Sequence, residues 1–155
     1  MRSSTVKAPK RNRSVTNKEP KRISIATNRA VFKWAGGKYK ELDAIAAHMP
    51  KGDRLIEPFV GGGSVFLNLD YPRYLCADFN GDLINAYTMI KQRPDQLIMM
   101  LKDRFTHGNT RDYYEIVRLR FNDIKTTLPA LARADDIIYL NRHCFNGLMR
   151  YNLKG

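Results

Sequence analysis

Arg54-Leu55-Ile56-Glu57-Pro58-Phe59-Val60-Gly61-Gly62-Gly63-Ser64 is a short apolar run that meets three consecutive glycines, after which Val65-Phe66-Leu67 resumes the apolar pattern. The order predicts a strand, a tight turn and the start of a helix. Glycines in that place let the backbone enter left-handed conformations and let something other than a side chain press against it. In open α/β sheets a turn at the carboxyl end of the first strand is where nucleotide-like ligands bind. A tight strand-to-helix connection with no ligand is the plainer reading, and the glycines alone do not choose between the two.

The chain around this turn has 155 residues, 43% of them apolar and eight of them tyrosine, enough for one globular core or one core and a small second domain. The net charge of +12 is unevenly spread: residues 1–30 hold nine Lys or Arg and one acid, Glu19, so the rest of the chain contributes only +4. The body is mildly basic and the amino-terminal arm supplies most of the field, as in proteins that bind nucleic acid. Residues 1–29 have too few apolar side chains to offset the entropy of ordering, so a disordered basic arm is expected, either adding phosphate contacts or serving as a solvated tail. Its Arg- and Ser-rich composition overlaps with that of organelle transit peptides. No apolar run approaches the length of a membrane span, and no signal-peptide core follows the basic arm. Cys76 and Cys144 lie in apolar or aromatic settings and read as reduced thiols. Only His143, beside Cys144, adjoins either, so no metal site is expected. His48, His107 and His143 show no pairing that suggests catalysis.

Order is expected to begin at Val31-Phe32-Lys33-Trp34-Ala35-Gly36-Gly37-Lys38. Leu42, Ile45, Ala46 and Met49 then recur at helical spacing as far as Pro50. After the glycines, Ser64 is placed to cap a short helix through Leu69, and Tyr74-Leu75-Cys76-Ala77 reads as a second buried strand ending on Asp78. Four helical stripes follow: Leu83 to Ile90, Leu97 to Phe105, Tyr113 to Phe121, and Leu128 to about Arg142. The fold class is therefore α/β, the start of a parallel sheet followed by an inserted helical block. Two parallel strands leave edges and apolar faces uncovered, so the sequence reads as the first part of something longer.

Asp78 follows Gly61 by seventeen residues. That is close to the spacing at which a strand-end acid accepts hydrogen bonds from ribose hydroxyls, although an acid there also serves as a helix cap. Gly61-Gly62-Gly63-Ser64 lacks the lysine of a phosphate-binding loop, and Gly36-Gly37-Lys38-Tyr39 lacks the following Ser or Thr. A turn without phosphate machinery suits a ligand without a pyrophosphate, such as S-adenosyl-L-methionine.

Phe32-Lys33-Trp34-Ala35-Gly36-Gly37-Lys38, Glu57 to Ser64, Ala77-Asp78-Phe79-Asn80, Tyr139-Leu140-Asn141-Arg142 and Phe145 to Asn152 resemble, in order and spacing, the Dam-type DNA adenine-N6 methyltransferase family over residues 31–155. The resemblance implies a Rossmann-like S-adenosylmethionine-dependent methyltransferase sheet, with residues 30–80 as its cofactor-binding part and 81–155 as an incomplete helical target-recognition domain. It implies that Trp34, Lys38, Glu57, Pro58, Phe59, Gly61, Gly63 and Asp78 bind S-adenosyl-L-methionine, with Asp78 on the ribose. It further implies that Lys33, Arg118, Asn141, Arg142, Phe145, Asn146, Leu148 and Arg150 contact double-stranded DNA. Phe145 would be an aromatic wedge, Leu148 would meet a thymine methyl, and Arg150 would read a guanine edge through two acceptors. From the residues alone, Trp34 also reads as a core anchor, Phe145 as a packed ring and Arg118 as a solvated charge.

The implied setting is DNA methylation or restriction–modification in the cytoplasm of a bacterium or phage host, by a monomer without metal, at GATC. Chemistry in this family belongs to an acid-Pro-Pro-aromatic tetrapeptide, and none of the seven prolines here adjoins another. A truncated chain, inactive by itself, is the expectation, with a non-catalytic DNA-binding remnant as the alternative.

Overall fold

The computed structural model of the chain describes residues 23–151. Most of the basic arm expected over 1–29, together with Asn152, lies outside the described residues. Strands β1 (Leu55–Glu57) and β2 (Tyr74–Cys76) pair in parallel with Leu55 opposite Tyr74, Ile56 opposite Leu75 and Glu57 opposite Cys76. The ladder runs past the strands: Leu55 N–H donates to Arg73 O (2.9 Å), Ala77 N–H to Glu57 O (2.8 Å) and Val60 N–H to Ala77 O (2.8 Å). The glycine turn therefore leaves β1 with its first residues still hydrogen-bonded to the end of β2. Ile56 and Leu75, partners in register, are 60% and 50% exposed, so one face of this small sheet is uncovered.

Helix α1 (Leu42–His48), entered through a 3-10 turn at Tyr39–Glu41, buries Leu42 and Ala46, and Ala46 packs in one cluster with Leu55, Leu69 and Tyr71. Four longer helices follow β2: α2 (Gly81–Gln92), α3 (Pro94–His107), α4 (Arg111–Ile124) and α5 (Ala130–His143). Their starts have local causes. Asn80 Oδ1 accepts from Asp82 and Leu83 N–H at 3.0 Å, Pro94 occupies the first turn of α3, and Thr110 Oγ1 accepts from Tyr113 N–H at 3.2 Å. Helix α5 is the axis of the block: α2, α3 and α4 pack on it, and every residue from Ala134 to Asn141 is buried.

The larger of the two core clusters among the described residues crosses residue 80, while the cluster of Ala46, Leu55, Leu69 and Tyr71 lies before it. Phe32 and Val60 belong to the same cluster as Leu83 and Ala86 of α2, Leu97 of α3, Val117 and Phe121 of α4, and Ile137 and Leu140 of α5. The amino-terminal segment and the helical block share one interior.

Three expectations are corrected. The second strand, expected to be buried, has Tyr74 and Leu75 43% and 50% exposed, since no further strand or helix covers them among the described residues. Residues 64–68 form turns, not a capped helix. Asn68 Nδ2 donates to Ser64 O at 2.8 Å, so Asn68 N–H turns to Val65 O (3.0 Å) instead of continuing a helical ladder, while Phe66 N–H donates to Glu57 Oε2 at 3.0 Å. Order also begins earlier than Val31. Ile25 forms an antiparallel bridge with Leu69, Ala26 N–H donates to Asn68 O (2.9 Å), and Asn28 N–H donates to Asn68 Oδ1 (2.7 Å). The buried Asn68 side chain satisfies both backbone groups of Asn28, accepting from its N–H and donating to its O at 3.0 Å.

Two carboxylates, Asp135 and Asp136, sit inside the block at 1% and 0% exposure. Arg104 of α3 pairs with Asp135 and with Asp136 (2.9 Å to Oδ1), Arg120 of α4 also pairs with Asp136, and the Arg104 guanidinium lies 5.4 Å over the Tyr139 ring. Removing one partner of such a group strands the other charges in a poorly solvated place. Asp136→Ala is predicted to lower unfolding stability by about 3–5 kcal/mol, measured by urea denaturation. A loss below about 1 kcal/mol would mean that water reaches the network.

Candidate functional site

The site begins where the backbone ladder gives way to side chains. Immediately after the Val60–Ala77 bond, Gly61 N–H donates to Asp78 Oδ2 (2.9 Å), and Asp78 Oδ1 accepts from Asn80 N–H (2.9 Å). One carboxylate thus joins the glycine turn to the segment that caps α2. Tyr87, nearly two turns into α2, donates its hydroxyl to Gly61 O at 2.9 Å. Both backbone groups of Gly61 are held, and its φ of +48° and that of Gly63, +81°, lie in the left-handed region that favours glycine. Packing adds a separate requirement at Gly62, where a Cβ would stand 2.7 Å from Phe32 O. The Trp34 indole leans on the same turn, its Cδ1 3.1 Å from where a Cβ on Gly61 would be.

Beneath the turn lies a cluster of groups that resist ionisation. Burial raises Glu57 from its ordinary 4.5 to about 7, against the opposing effect of the Phe66 N–H that it accepts. Burial, then the neighbouring Glu57, raises the Cys76 thiol. The Tyr87 phenol is pushed up by burial first and then by Glu57, Cys76 and Asp78. A hydroxyl that stays protonated is a dependable donor to Gly61 O.

Trp34 and Lys33 line a cavity of about 340 Å³ with Phe32, Tyr39, Gly62 and Arg142. Lys38 lies between two of its lining residues, Gly37 and Tyr39, and donates its ammonium to Gly36 O at 2.7 Å. Pro58 and Phe59 are exposed at the end of β1, Phe59 by 82%. Trp34 from the amino-terminal segment, Glu57 to Gly63 from β1 and Asp78 from β2 therefore meet at one turn, whereas the Lys38 ammonium is held on Gly36 O. Tyr87 and Phe79 are the residues that sequence reasoning missed. Tyr87 looked like one more apolar position in a helical stripe, although a buried tyrosine hydroxyl needs a partner. Phe79 is fully exposed between Asp78 and the capping Asn80, an aromatic in a connection otherwise suited to polar residues.

After α5 the chain makes a 3-10 turn over Phe145–Gly147, with Asn146 (φ 55°) and Gly147 (φ 68°) both left-handed. Phe145 is 85% exposed. A groove of about 410 Å³ brings together Arg118 of α4 with Phe145, Leu148 and Arg150. Arg118 is held on its own helix by Glu115, with Nε and Nη2 bonds of 2.9 and 2.6 Å. Arg142 is exposed at the end of α5. Asn141 is a correction: it is 1% exposed, accepts from Lys33 N–H (3.0 Å) and donates to Lys33 O (2.9 Å) and Gly147 O (3.2 Å). With its amide spent inside the protein, it has no direct contact to offer DNA. Among the described residues no cluster of His, Cys, Asp or Glu is arranged to hold a metal ion, and no helix is long and apolar enough to cross a membrane.

Residues 34–155 match the model of the D12 class N6 adenine-specific DNA methyltransferases. The chain is 51% identical over 129 residues to a DNA adenine methylase of Serratia marcescens, an alignment covering 83% of this chain and 47% of the relative. It is 50% identical over 129 residues to the DNA adenine methylase of Escherichia coli K12, covering 83% of this chain and 45% of that protein. A DNA N-6-adenine-methyltransferase of Escherichia phage P1 is 48% identical over 127 residues, which are 82% of this chain and 17% of the phage protein. The chain thus spans less than half the length of these relatives.

Because Glu57 sits above its ordinary value, its contribution to folding is complete below pH 4.5 and is lost as pH rises through about 7. Glu57→Gln removes the titration. The melting temperature of the variant is predicted to gain on that of the native chain between pH 5 and pH 8, by differential scanning fluorimetry. Parallel curves would show that water, not burial, surrounds the carboxylate.

Proposed function

The chain belongs to the D12 class N6 adenine-specific DNA methyltransferase family, and from that premise we propose that it serves the transfer of a methyl group from S-adenosyl-L-methionine to the exocyclic amino group of adenine in duplex DNA, at GATC. The observation that carries this is the Asp78–Gly61 bond of 2.9 Å, which sets a carboxylate and an open glycine turn side by side at the strand ends. Each Asp78 oxygen accepts one backbone N–H, and a carboxylate oxygen has a second lone pair, so both oxygens remain able to accept from the hydroxyls of a ribose. The donor set fits the cofactor: the acid for the ribose, exposed Phe79 and Phe59 for apolar cover of the adenosyl part, Trp34 against the turn, and the Lys38 ammonium for the carboxylate. When bound, S-adenosyl-L-methionine supplies an electrophilic methyl group. Glu57, Pro58, Gly61 and Gly63 shape the turn that faces its methionine part.

The DNA face is assigned to Lys33, Arg118, Arg142, Phe145, Asn146, Leu148 and Arg150. Lys33 and Arg142 line the same cavity as Trp34, so the cations that would meet phosphate or base adjoin the cofactor's place. Phe145, bare and beside a groove that holds Arg150 and Leu148, suits a ring that fills the gap left when an adenine turns out of the stack. The protein works as a monomer, without metal, in a cytoplasm where DNA is accessible.

The acid-Pro-Pro-aromatic element that orients the amino group is not among these 155 residues, since no two prolines adjoin. The proposal for these residues by themselves is binding without transfer. A DNA-binding remnant is the second reading, favoured by the same missing element together with the basic arm and Arg150.

Trp34 is the one tryptophan, so its emission reports on the cofactor's place. Titration with S-adenosyl-L-homocysteine is predicted to change it, and Asp78→Ala to weaken that binding about tenfold, equivalent to about 1.4 kcal/mol, with less than about a twofold effect on a GATC duplex. Equal losses would assign Asp78 to the turn alone. Tritium transfer from labelled S-adenosyl-L-methionine to the duplex should be absent with these 155 residues; transfer would refute the proposal of binding alone.

A further inference from the structure

Asn141 was expected at the DNA and is found inside the protein, where its side chain does something more specific than fill space. Its amide accepts from the N–H of Lys33 and donates to the C=O of the same residue, pairing with that backbone as a neighbouring strand would. Its second N–H goes to Gly147 O at 3.2 Å. The two carbonyl acceptors and the one N–H donor fix which way the amide points. One buried side chain at the end of α5 therefore holds a segment 108 residues away in sequence and, at the same time, the turn six residues on.

The two things it holds lead to different sites. Lys33 is followed by Trp34, whose indole rests on Gly61 of the glycine turn. Gly147 lies between Phe145 and Leu148, in the loop assigned to DNA. The contact between them is direct as well: a Cβ on Gly147 would fall 2.8 Å from Lys33 Cβ and 3.0 Å from Cγ, so the lysine stem lies on a residue that has no side chain and has φ of +68°. Lys33 cannot shift without disturbing either the Asn141 bonds or the turn at Gly147. An apolar residue at 141 would leave Lys33 N–H, Lys33 C=O and Gly147 C=O to find other partners.

We propose that Asn141 is a positioning residue that couples cofactor binding to DNA binding, by making the Lys33–Trp34 segment and the Phe145–Leu148 loop move as one unit. The proposal rests on the assignment of the two sites given above. A ligand seated against Trp34 fixes Lys33, which fixes Gly147 and presents the loop in its DNA-competent shape. Linkage requires the converse with the same factor: DNA held by the loop must tighten the cofactor.

The test uses the 155-residue chain. Affinity for a fluorescein-labelled duplex containing GATC is measured by anisotropy with and without saturating S-adenosyl-L-homocysteine, and affinity for S-adenosyl-L-homocysteine by Trp34 emission with and without the unlabelled duplex. In the native chain each ligand is expected to tighten the other by about fivefold or more, within the ordinary range for coupled sites. In Asn141→Ala the ratio should fall to within about twofold of unity in both directions. Gly147→Ala sets a methyl against the exposed Lys33 stem at a buried, left-handed position and leaves the Asn141 side chain in place, so it should produce the same loss of ratio; it decides the matter if Asn141→Ala does not fold. Independent binding in the native chain, or native coupling retained in the folded variants, overturns the proposal and leaves the two binding sites standing. If the native chain binds neither ligand, the assignment of the sites falls and the coupling falls with it.

Discussion

The hydrogen bond from Gly61 N–H to Asp78 Oδ2 carries the β1–β2 ladder one step beyond the strands, from backbone acceptor to side-chain acceptor. Much of the site follows from that substitution. Because the acceptor is a carboxylate at the end of β2, the turn after β1 is pulled alongside it. Because the same carboxylate takes Asn80 N–H, α2 starts at a fixed distance from the turn. Tyr87 then reaches back from α2 to Gly61 O, and Trp34 closes on the remaining side. A left-handed turn that costs little in glycine is locked from several directions without any side chain of its own.

The helical block is joined to this arrangement through its interior. Phe32 packs edge-on against Tyr87, with ring centroids 5.4 Å apart, and shares a cluster with residues of all four long helices. Helix α5 combines burial with charge. Its two aspartates are neutralised by arginines from α3 and α4, which fixes how those helices are placed around it more narrowly than apolar contact alone. Tyr139 on the same helix donates to Gly108 O at 2.6 Å, tying down the connection between α3 and α4. The loop after α5 is thus carried by a helix with little freedom to rotate.

The four long helices were legible from apolar periodicity, whereas the cap of α2 falls on Asn80 and not on Asp78, whose carboxylate bonds to Gly61 and Asn80 N–H. The two strands and the acid at the end of the second were legible as well. The helix expected after Ser64 is not there, because Ser64 O accepts from the side chain of Asn68 and not from its N–H, and that side chain is turned toward Asn28, some forty residues away, which a local pattern cannot anticipate. Residues 23–29 read as tail because the basic, polar residues before them set the composition of that end of the chain, although Ile23, Ile25 and Ala26 are apolar. They are ordered by Asn68, some forty residues away in sequence. The resemblance put Asn141 at the DNA, and nothing in its neighbours reveals that Lys33 lies across it.

By itself the amino-acid sequence determined the elements, the glycine turn between β1 and Asp78, and the concentration of cations and aromatics after α5, since each depends on residue type over a short span. The tertiary structure alone decided which polar groups meet. It gave Tyr87 to Gly61, Glu57 to Phe66 and Asn141 to Lys33 and Gly147, because a buried donor or acceptor must take whatever partner the packing brings within about 3 Å.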